Sequence, residues 1–365
     1  MTALPADRGP TNAGAHRALG LTITPLTARR LTNFRSNRRG YWSLWIFLTL
    51  LLLSLFAELI ANDKTLLVRF DGDFYTPIFN SYAETTFGGD FETEADYTDP
   101  FVIELIEEKG WLLMPLVPYS FDTPVTDLPT PAPSPPTTQN WLGTDDQARD
   151  VVARLIYGFR ISVLFGVTLT VLASIVGVIA GAVQGYYGGW IDLGFQRFIE
   201  VWEGMPFLFV LLIVASLFVP GFWTLLFIML LFSWTSLVGV VRAEFLRARN
   251  FDYVRAARAL GLNNRTIMFR HVLPNAMVAT ITFLPFTLVA GLTALTGLDF
   301  LGLGLPPGSP SLGELLKQAK ENFSAGWLTF AAVFSITVML MLVVFVGEAV
   351  RDAFDPRKQI TGDHG

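Results

Sequence analysis

The sequence predicts an all-α, polytopic membrane protein with six transmembrane helices and an acidic external insertion after the first helix. Its 365 residues are 52% hydrophobic and only 16% charged, and the mean hydropathy is +0.47, whereas soluble domains average about 25% charged residues. Six apolar runs also reach roughly the 20 residues that a helix needs to cross a bilayer. These runs are 42–61, 161–183, 198–219, 222–241, 276–298 and 327–347.

Charge segregation, the third observation behind this fold, also orients the helices. Residues 1–40 carry seven Arg and one acidic residue, and residues 242–275 carry seven Arg and two acidic residues. Residues 62–141 instead carry fourteen acidic residues and three basic ones. Because positively charged loops stay in the cytoplasm, we expect both termini and the 242–275 loop inside and residues 62–160 outside.

These signals divide the chain into five parts, in order. The parts are a basic cytoplasmic segment (1–40), the first helix (41–61), an external insertion ending in an interfacial helix (62–160), a core of five helices with a cytoplasmic loop at 243–275 (161–350), and a cytoplasmic tail (351–365). Two interpretations of residues 62–140 stay open. Their apolar runs favour a small ordered subdomain, whereas their high net charge favours a solvated acidic loop.

The second predicted helix is rich in small residues. Gly177 and Gly181 form a GxxxG pattern, and small residues allow helices in a membrane to approach closely. This helix is therefore expected to lie buried among the others.

The sequence lacks the patterns that carry enzyme chemistry or bind a cofactor. It has no cysteine, and His16, His271 and His364 are scattered. No Gly-x-x-x-x-Gly-Lys-Ser/Thr, Gly-x-Ser-x-Gly or His-Glu-x-x-His motif occurs. We therefore expect no catalytic site, metal site, cofactor or nucleic-acid partner, and any ATP that drives this protein would be bound by another chain.

The loop between the fourth and fifth predicted helices is the most ordered polar segment. Alanines in Tyr253-Val-Arg-Ala-Ala-Arg-Ala-Leu-Gly261 favour a helix, and Gly261 is placed to end it. A second short helix is expected to run to Pro274. A short helix that is ended by Gly and presented by two spans would form a rigid knob for docking into a groove on a partner. The alternative is an ordinary basic loop that obeys the positive-inside rule.

Charged residues also occur within the third predicted span. Arg197, Glu200 and Glu203 recur at i, i+3 and i+6, and charges at membrane depth usually face protein or a water-filled path. One interpretation is a polar lining of such a path. The other is an Arg197–Glu200 structural pair near the cytoplasmic boundary, with Glu203 in a helix–helix contact.

Several collinear motifs occur along the chain, at 142–162 (LGTDDQARDVVARLIYGFRIS), 185–192 (GYYGGWID), 253–261, 270–275, 299–316 (DFLGLGLPPGSPSLGELL) and 347–357 (GEAVRDAFDPR). Together they resemble permease subunits of the dipeptide/oligopeptide ABC-importer family, which has the type I importer fold. The segment 200–206 and the segment 242–253 further resemble the branch that imports microcin C and other peptides. Residues 62–138 depart from the family pattern.

The resemblance implies a subunit of an ATP-driven peptide importer in the bacterial inner membrane. The implied partners are a second homologous permease, two ATPase domains or one fused ATPase chain, a periplasmic peptide-binding protein, the peptide and membrane lipid. The residues implied to couple to the ATPase are Tyr253, Arg255, Ala256, Ala257, Gly261, His271, Leu273 and Pro274. The family usually has Glu where this chain has Arg255, so a contact that needs a carboxylate there is not expected.

Two alternatives remain open at this point. Within the family, the chain could serve a nickel or other small-solute importer. From another class, an ion-driven secondary transporter would use Glu200 and Glu203 as its proton-cycling acids and would work without an ATPase.

The external loop 299–307 and the helix expected at 312–322 either contact a binding protein or merely connect two spans.

Overall fold

The structure is a computed structural model that describes residues 17–18, 21–22, 25–218 and 221–354. Within these ranges, four helices are long and apolar enough to cross a membrane, and a bent pair of helices forms a fifth candidate. The four helices are Val151–Tyr187, Phe222–Ala248, Asn264–Phe300 and Gly326–Phe354. Part of the predicted segment 1–40 and most of the predicted tail 351–365 lie outside the described residues.

Two N-terminal helices, α1 and α2, pack against the helix Gly326–Phe354. Gly40 allows this contact, because a side chain there would overlap Ala349. The predicted first span falls on α2 and α3, but α2 includes Arg38 and Arg39, which lower its mean hydropathy. Six spans therefore remain a prediction. The elements are β1 (Arg17–Ala18), β2 (Leu21–Thr22), α1 (Pro25–Ser36), α2 (Arg38–Leu55) and α3 (Ala57–Ile60).

The insertion forms a compact unit, here called the cap subdomain (residues 61–125). Its antiparallel sheet has the order β4-β3-β5, and the inner face of the sheet packs Val68 and Phe70 against Phe87, Tyr97 and Ile106. This apolar core holds the acidic segment in one conformation. The elements are β3 (Leu67–Phe70), β4 (Asp73–Tyr75), a 3₁₀ turn (Glu84–Phe87), α4 (Pro100–Lys109) and β5 (Gly110–Leu113).

Helix α5 (Val151–Tyr187) is a single helix of 37 residues, about 55 Å long at 1.5 Å per residue. The separate interfacial helix predicted before the second span is therefore wrong, since the helix is continuous. It begins at Asp150, whose side chain accepts a hydrogen bond from the Ala153 backbone N–H at 2.9 Å. Because about 30 Å suffices to cross the hydrocarbon core, α5 extends beyond the membrane.

Glycines bring α5 against the helix Phe222–Ala248. A Cβ added at Gly177, Gly181 or Gly185 would lie 2.5–2.7 Å from a backbone oxygen of that helix. Such distances exclude any side chain, so the small residues of α5 serve close helix packing, and the contact extends the GxxxG pattern by one further turn.

The third predicted span, 198–219, is broken. Helix α6 (Gly189–Glu203) and helix α7 (Phe207–Leu217) meet at an angle of 74°. Pro206 lies at the break, has no N–H to donate, and disfavours helical geometry in the residue before it. The predicted third span is therefore divided at Pro206 into two helices, and the bent pair together is a candidate span.

The remaining helices complete the core, in which α5 contacts most of the other long helices. Helices α8 and α9 form one 27-residue unit, and α11, a π-helical turn and α12 form one 37-residue unit. The bounds are α8 (Phe222–Ser233), α9 (Thr235–Ala248), α10 (Asp252–Ala259), α11 (Asn264–Thr266), the π turn (Ile267–Val272), α12 (Leu273–Phe300), α13 (Leu312–Glu321) and α14 (Gly326–Phe354).

Candidate functional site

Helix α10, in the loop that the sequence singled out, ends in a Schellman motif. The Gly261 N–H donates to the Arg258 carbonyl at 2.9 Å, and the Leu262 N–H donates to the Ala257 carbonyl at 3.2 Å. Gly261 has φ = +78°, a left-handed conformation that glycine adopts without steric cost. The predicted helix end at Gly261 therefore has the expected backbone geometry.

One side of α10 is fixed to the core. Val254 and Ala257 are buried in a cluster that includes Phe245 of α9 and Ile267 of the π turn. The Tyr186 ring of α5 lies 5.2 Å from the Arg258 guanidinium. Ala257 thus holds the helix in place rather than offering a surface to a partner.

The other side of α10 is open. Tyr253, Arg255, Ala256 and Gly261 are exposed, and the Leu260 side chain is 82% exposed. Sequence reasoning missed Leu260. Its position directly after the last helical residue and before Gly261 is the signal that could have found it. The result is a rigid, apolar tip surrounded by arginines.

The predicted second short helix ending at Pro274 is wrong, because α11, the π turn and α12 run on continuously to Phe300. Pro274 is the second residue of α12, just after the irregular π turn, where a missing N–H is tolerated best. His271 is half-buried, Leu273 packs against the cluster of α10, and Pro274 is exposed.

The three charged residues predicted in the third span are exposed on this chain. Arg197 and Glu200 form an i,i+3 ion pair, and Glu203 is the last residue of α6, at the 74° bend. At 3.6 residues per turn, the three side chains spread over about 120° of the helix circumference. The structure therefore brings Arg197 and Glu200 together, while Glu203 points in a different direction.

Polar contacts hold α6 against its neighbours. The Arg242 Nη2 donates to Asp192 Oδ2 at 2.7 Å, and the Trp202 Nε1–H donates to the Leu231 carbonyl at 2.7 Å. Arg242 belongs to the arginine-rich loop predicted by sequence. In the structure it serves to fix α6 to α9.

A cleft of about 410 Å³ lies between α5, α8, α9 and α12. Its lining is mostly apolar, with hydroxyl groups from Thr170, Ser233, Ser236 and Thr287. The Thr170 hydroxyl is buried without a hydrogen-bond partner. The cleft thus offers neutral polar groups at the level of the spans.

A buried charge network lies at the N-terminal end of α5, and sequence reasoning missed it. The Arg154 side chain is fully buried and contacts Asp145 at 3.3 Å and Glu314 of α13 at 2.7 Å. It also donates to the Phe121 carbonyl at 3.2 Å and to the Ser309 carbonyl at 3.0 Å. The network ties the cap subdomain to the loop before α13.

The helix cap beside this network is itself buried. Burial raises the pKa of Asp150, even though Asn140 Nδ2 donates to its carboxylate at 2.8 Å. Among the described residues, no group of three or more His, Asp or Glu side chains is arranged to hold a metal ion.

Comparison with known proteins gives a family match and close relatives. The model of the family described as "Binding-protein-dependent transport system inner membrane component" matches residues 173–360. The peptidoglycan transport system permease protein YejE of Agrobacterium fabrum is 56% identical over 92% of this chain and 94% of its own length. The inner membrane ABC transporter permease protein YejE of Escherichia coli is 58% identical over 93% of this chain and 99% of its own.

A more distant relative matches a smaller part of this chain. The dipeptide transport system permease protein DppC of Bacillus subtilis is 34% identical over 225 residues, which are 61% of this chain and 70% of the relative.

Proposed function

We infer that this chain, which belongs to the family of binding-protein-dependent transport system inner membrane components, is the permease subunit of an ATP-driven peptide importer. Family membership makes it a multi-pass membrane subunit of an ABC transporter rather than an enzyme. The peptide assignment draws on relatives named for dipeptide and oligopeptide transport. Peptides of the oligopeptide or microcin C type are the proposed substrates.

The proposed assembly supplies the subunits that a permease needs to transport peptide with ATP. Its sequence has no phosphate-binding loop of the Gly-x-x-x-x-Gly-Lys-Ser/Thr type, so partner chains hydrolyse ATP, as two ATPase domains or one fused chain. A second, homologous permease completes the path, a periplasmic binding protein delivers the peptide, and lipid surrounds the spans. Both termini and the 243–275 loop lie in the cytoplasm, as their arginines favour.

The observation that carries the proposal is the exposed tip of α10. Leu260 is 82% exposed, and the Schellman motif at Gly261 holds it in place. Apolar side chains fill grooves on partner proteins at little entropic cost when they are already rigid. Tyr253, Arg255, Ala256 and Gly261 complete the contact surface, together with His271 and Pro274.

The same helix is suited to pass motion into the membrane. Val254 and Ala257 share one buried cluster with residues of α5, α9 and the helix that begins at Asn264. Leu273 packs against that cluster. A displacement of α10 by an ATPase would therefore move the ends of three spans, which is how ATP binding would drive alternating access.

The proposed path has two parts. Arg197, Glu200 and Glu203 form a charged surface on α6, open on this chain, that would meet charged peptide groups. The hydroxyl-lined cleft among α5, α8, α9 and α12 would contact the peptide further along.

Co-purification from the native host tests the proposal. The tagged chain is purified gently and its partners are identified by mass spectrometry. We expect an ATPase and a second permease with the wild type. Leu260→Asp should lose the ATPase, because a carboxylate cannot fill an apolar groove without losing its hydration, while Leu260→Met should keep it. A wild-type chain that elutes alone, or an ATPase retained by Leu260→Asp, would contradict the docking role of α10.

A further inference from the structure

The cap sheet has a second apolar face, here called the outer sheet face (Leu67, Arg69, Phe74, Trp111 and Leu113). Arg69 of β3 pairs with Phe74 on one side and Trp111 on the other, and Leu67 pairs with Leu113. Side chains alternate along a strand, so these residues point away from the cap core. Phe74 is 63% exposed, Trp111 43% and Leu113 51%.

This composition is unusual for a face open to water. An antiparallel sheet that covers a core on one side normally presents polar residues on the other. Here Arg69 is the one charged member of the outer sheet face, and its guanidinium lies 5.7 Å from the Phe74 ring. Contiguous apolar surface rimmed by polar residues marks an interaction site.

The rim of this face is acidic. Asp71 in the turn and Asp73 at the start of β4 are exposed beside Phe74, and residues 62–141 carry fourteen acidic and three basic residues. Each basic residue is engaged within the cap, since Lys64 pairs with Glu94, Arg69 lies over Phe74, and Lys109 lies over a ring. A partner with a cationic surface is therefore attracted, whereas anionic headgroups are repelled.

The cap subdomain is held firmly to α5. The Tyr157 hydroxyl of α5 donates to the Ala61 carbonyl at 3.0 Å, and Arg154 donates to the Phe121 carbonyl at 3.2 Å. A partner bound to the cap is thus placed in a fixed position over the outer end of α5. Rigid presentation reduces the entropy lost on binding.

The extent of the relatives' matches associates the cap with one branch of the family. The match to the dipeptide permease DppC covers 225 residues, too few to span both the cap subdomain and helices α5–α14. The Escherichia coli YejE permease matches over 93% of this chain. The surface of the binding protein that meets the cap then need not occur on the binding proteins that serve dipeptide permeases.

We propose that the outer sheet face docks the periplasmic binding protein of this transporter, through a cationic surface whose apolar centre receives Trp111 and Phe74. The proposal rests on the importer function inferred above and adds the surface that receives the binding protein. In this proposal, the acidic residues of the cap attract the binding protein at long range. Phe74 and Trp111 then supply the affinity at short range.

Binding to the full complex in lipid nanodiscs tests this docking. The probe is the purified peptide-binding protein of the same host that stimulates the complex's ATPase activity. Aromatic residues at the centre of an interface carry much of its affinity, so the Phe74→Ala/Trp111→Ala double variant should raise Kd at least about tenfold. Phe79→Ala is the control, because Phe79 is 79% exposed but lies outside the sheet.

Three results separate this proposal from the importer function. If a binding protein stimulates the wild-type complex and binds the double-variant complex as tightly as the wild type, the docking proposal alone is overturned. If no binding protein stimulates the ATPase activity of the wild-type complex, the proposed importer function is overturned. A labelled cationic peptide is tested in the same way. If the peptide binds the wild type but not the double variant, while the affinity for the binding protein is unchanged, the outer sheet face binds the peptide and the proposal is overturned. Unchanged thermal unfolding and unchanged basal ATPase activity confirm that the variants are folded.

Discussion

At the scale of single residues, Gly261 and Leu260 act as a pair. A Cβ added at Gly261 would meet nothing within 4 Å, so glycine is required there for its backbone conformation rather than for space. With φ = +78°, Gly261 ends α10 directly after the exposed Leu260. The presentation of the docking tip therefore depends on one left-handed residue.

Two substitutions at Gly261 test whether its left-handed backbone conformation, rather than its small size, is needed for coupling. Gly261→Val places a β-branched residue in the left-handed region at a cost on the order of 1–2 kcal/mol, so the last turn of α10 should unwind and stimulated ATPase activity should fall severalfold or more. Gly261→Asn should retain activity, because Asn adopts this conformation more readily. The stimulated ATPase activity of both variants is measured on the reconstituted complex. A fully active Val variant would show that the helix end is not needed for coupling.

At the scale of elements, the long helices could be predicted from sequence, whereas the size of their interruptions could not. Within the described residues, each of the six predicted spans overlaps one or two helices, because a helix satisfies its own backbone hydrogen bonds in a membrane. Pro206 marks a place where a helix can bend, but the angle of 74° depends on the packing of α6 and α7 against their neighbours. The network around Arg154 was also hidden, since Arg154 and Glu314 are 160 residues apart in sequence.

Some missed elements had a readable signal. Asp71-Gly72 between β3 and β4 is the dipeptide typical of a two-residue hairpin turn, and both residues have positive φ. The acidic composition of the insertion concealed it. In the candidate site, Gly261 was predictable from residue type, whereas the buried side of α10 was not, because it is set by α5 and α9.

The close contact between α5 and α9 makes an element-scale prediction. A Cβ at Gly181 would lie 2.7 Å from the Val238 carbonyl oxygen, whereas a Cβ at Gly239 would meet nothing within 4 Å. Gly181→Ala should therefore lower the thermal midpoint of the purified chain. Gly239→Ala should leave it unchanged or raise it, since Ala is favoured over Gly in a helix by about 1 kcal/mol. Equal midpoints for the two variants would refute this packing.

At the scale of the whole molecule, α5 connects the two proposed docking surfaces. Its N-terminal end contacts the cap subdomain through Arg154 and Tyr157, and its C-terminal end carries Tyr186 in the cluster that holds α10. One continuous helix of 37 residues thus joins the surface proposed for the binding protein to the surface proposed for the ATPase. Such a contiguous element is a physical route for coupling between them.

The most direct test of the account is peptide uptake by proteoliposomes that contain the purified complex. Binding protein and labelled peptide are added outside, and ATP or a non-hydrolysable analogue is sealed inside. The account predicts uptake that requires both ATP hydrolysis and the binding protein, and that continues when ion gradients are collapsed. Uptake driven by a proton or sodium gradient in the absence of ATP would contradict it and would favour an ion-driven transporter that uses Glu200 and Glu203.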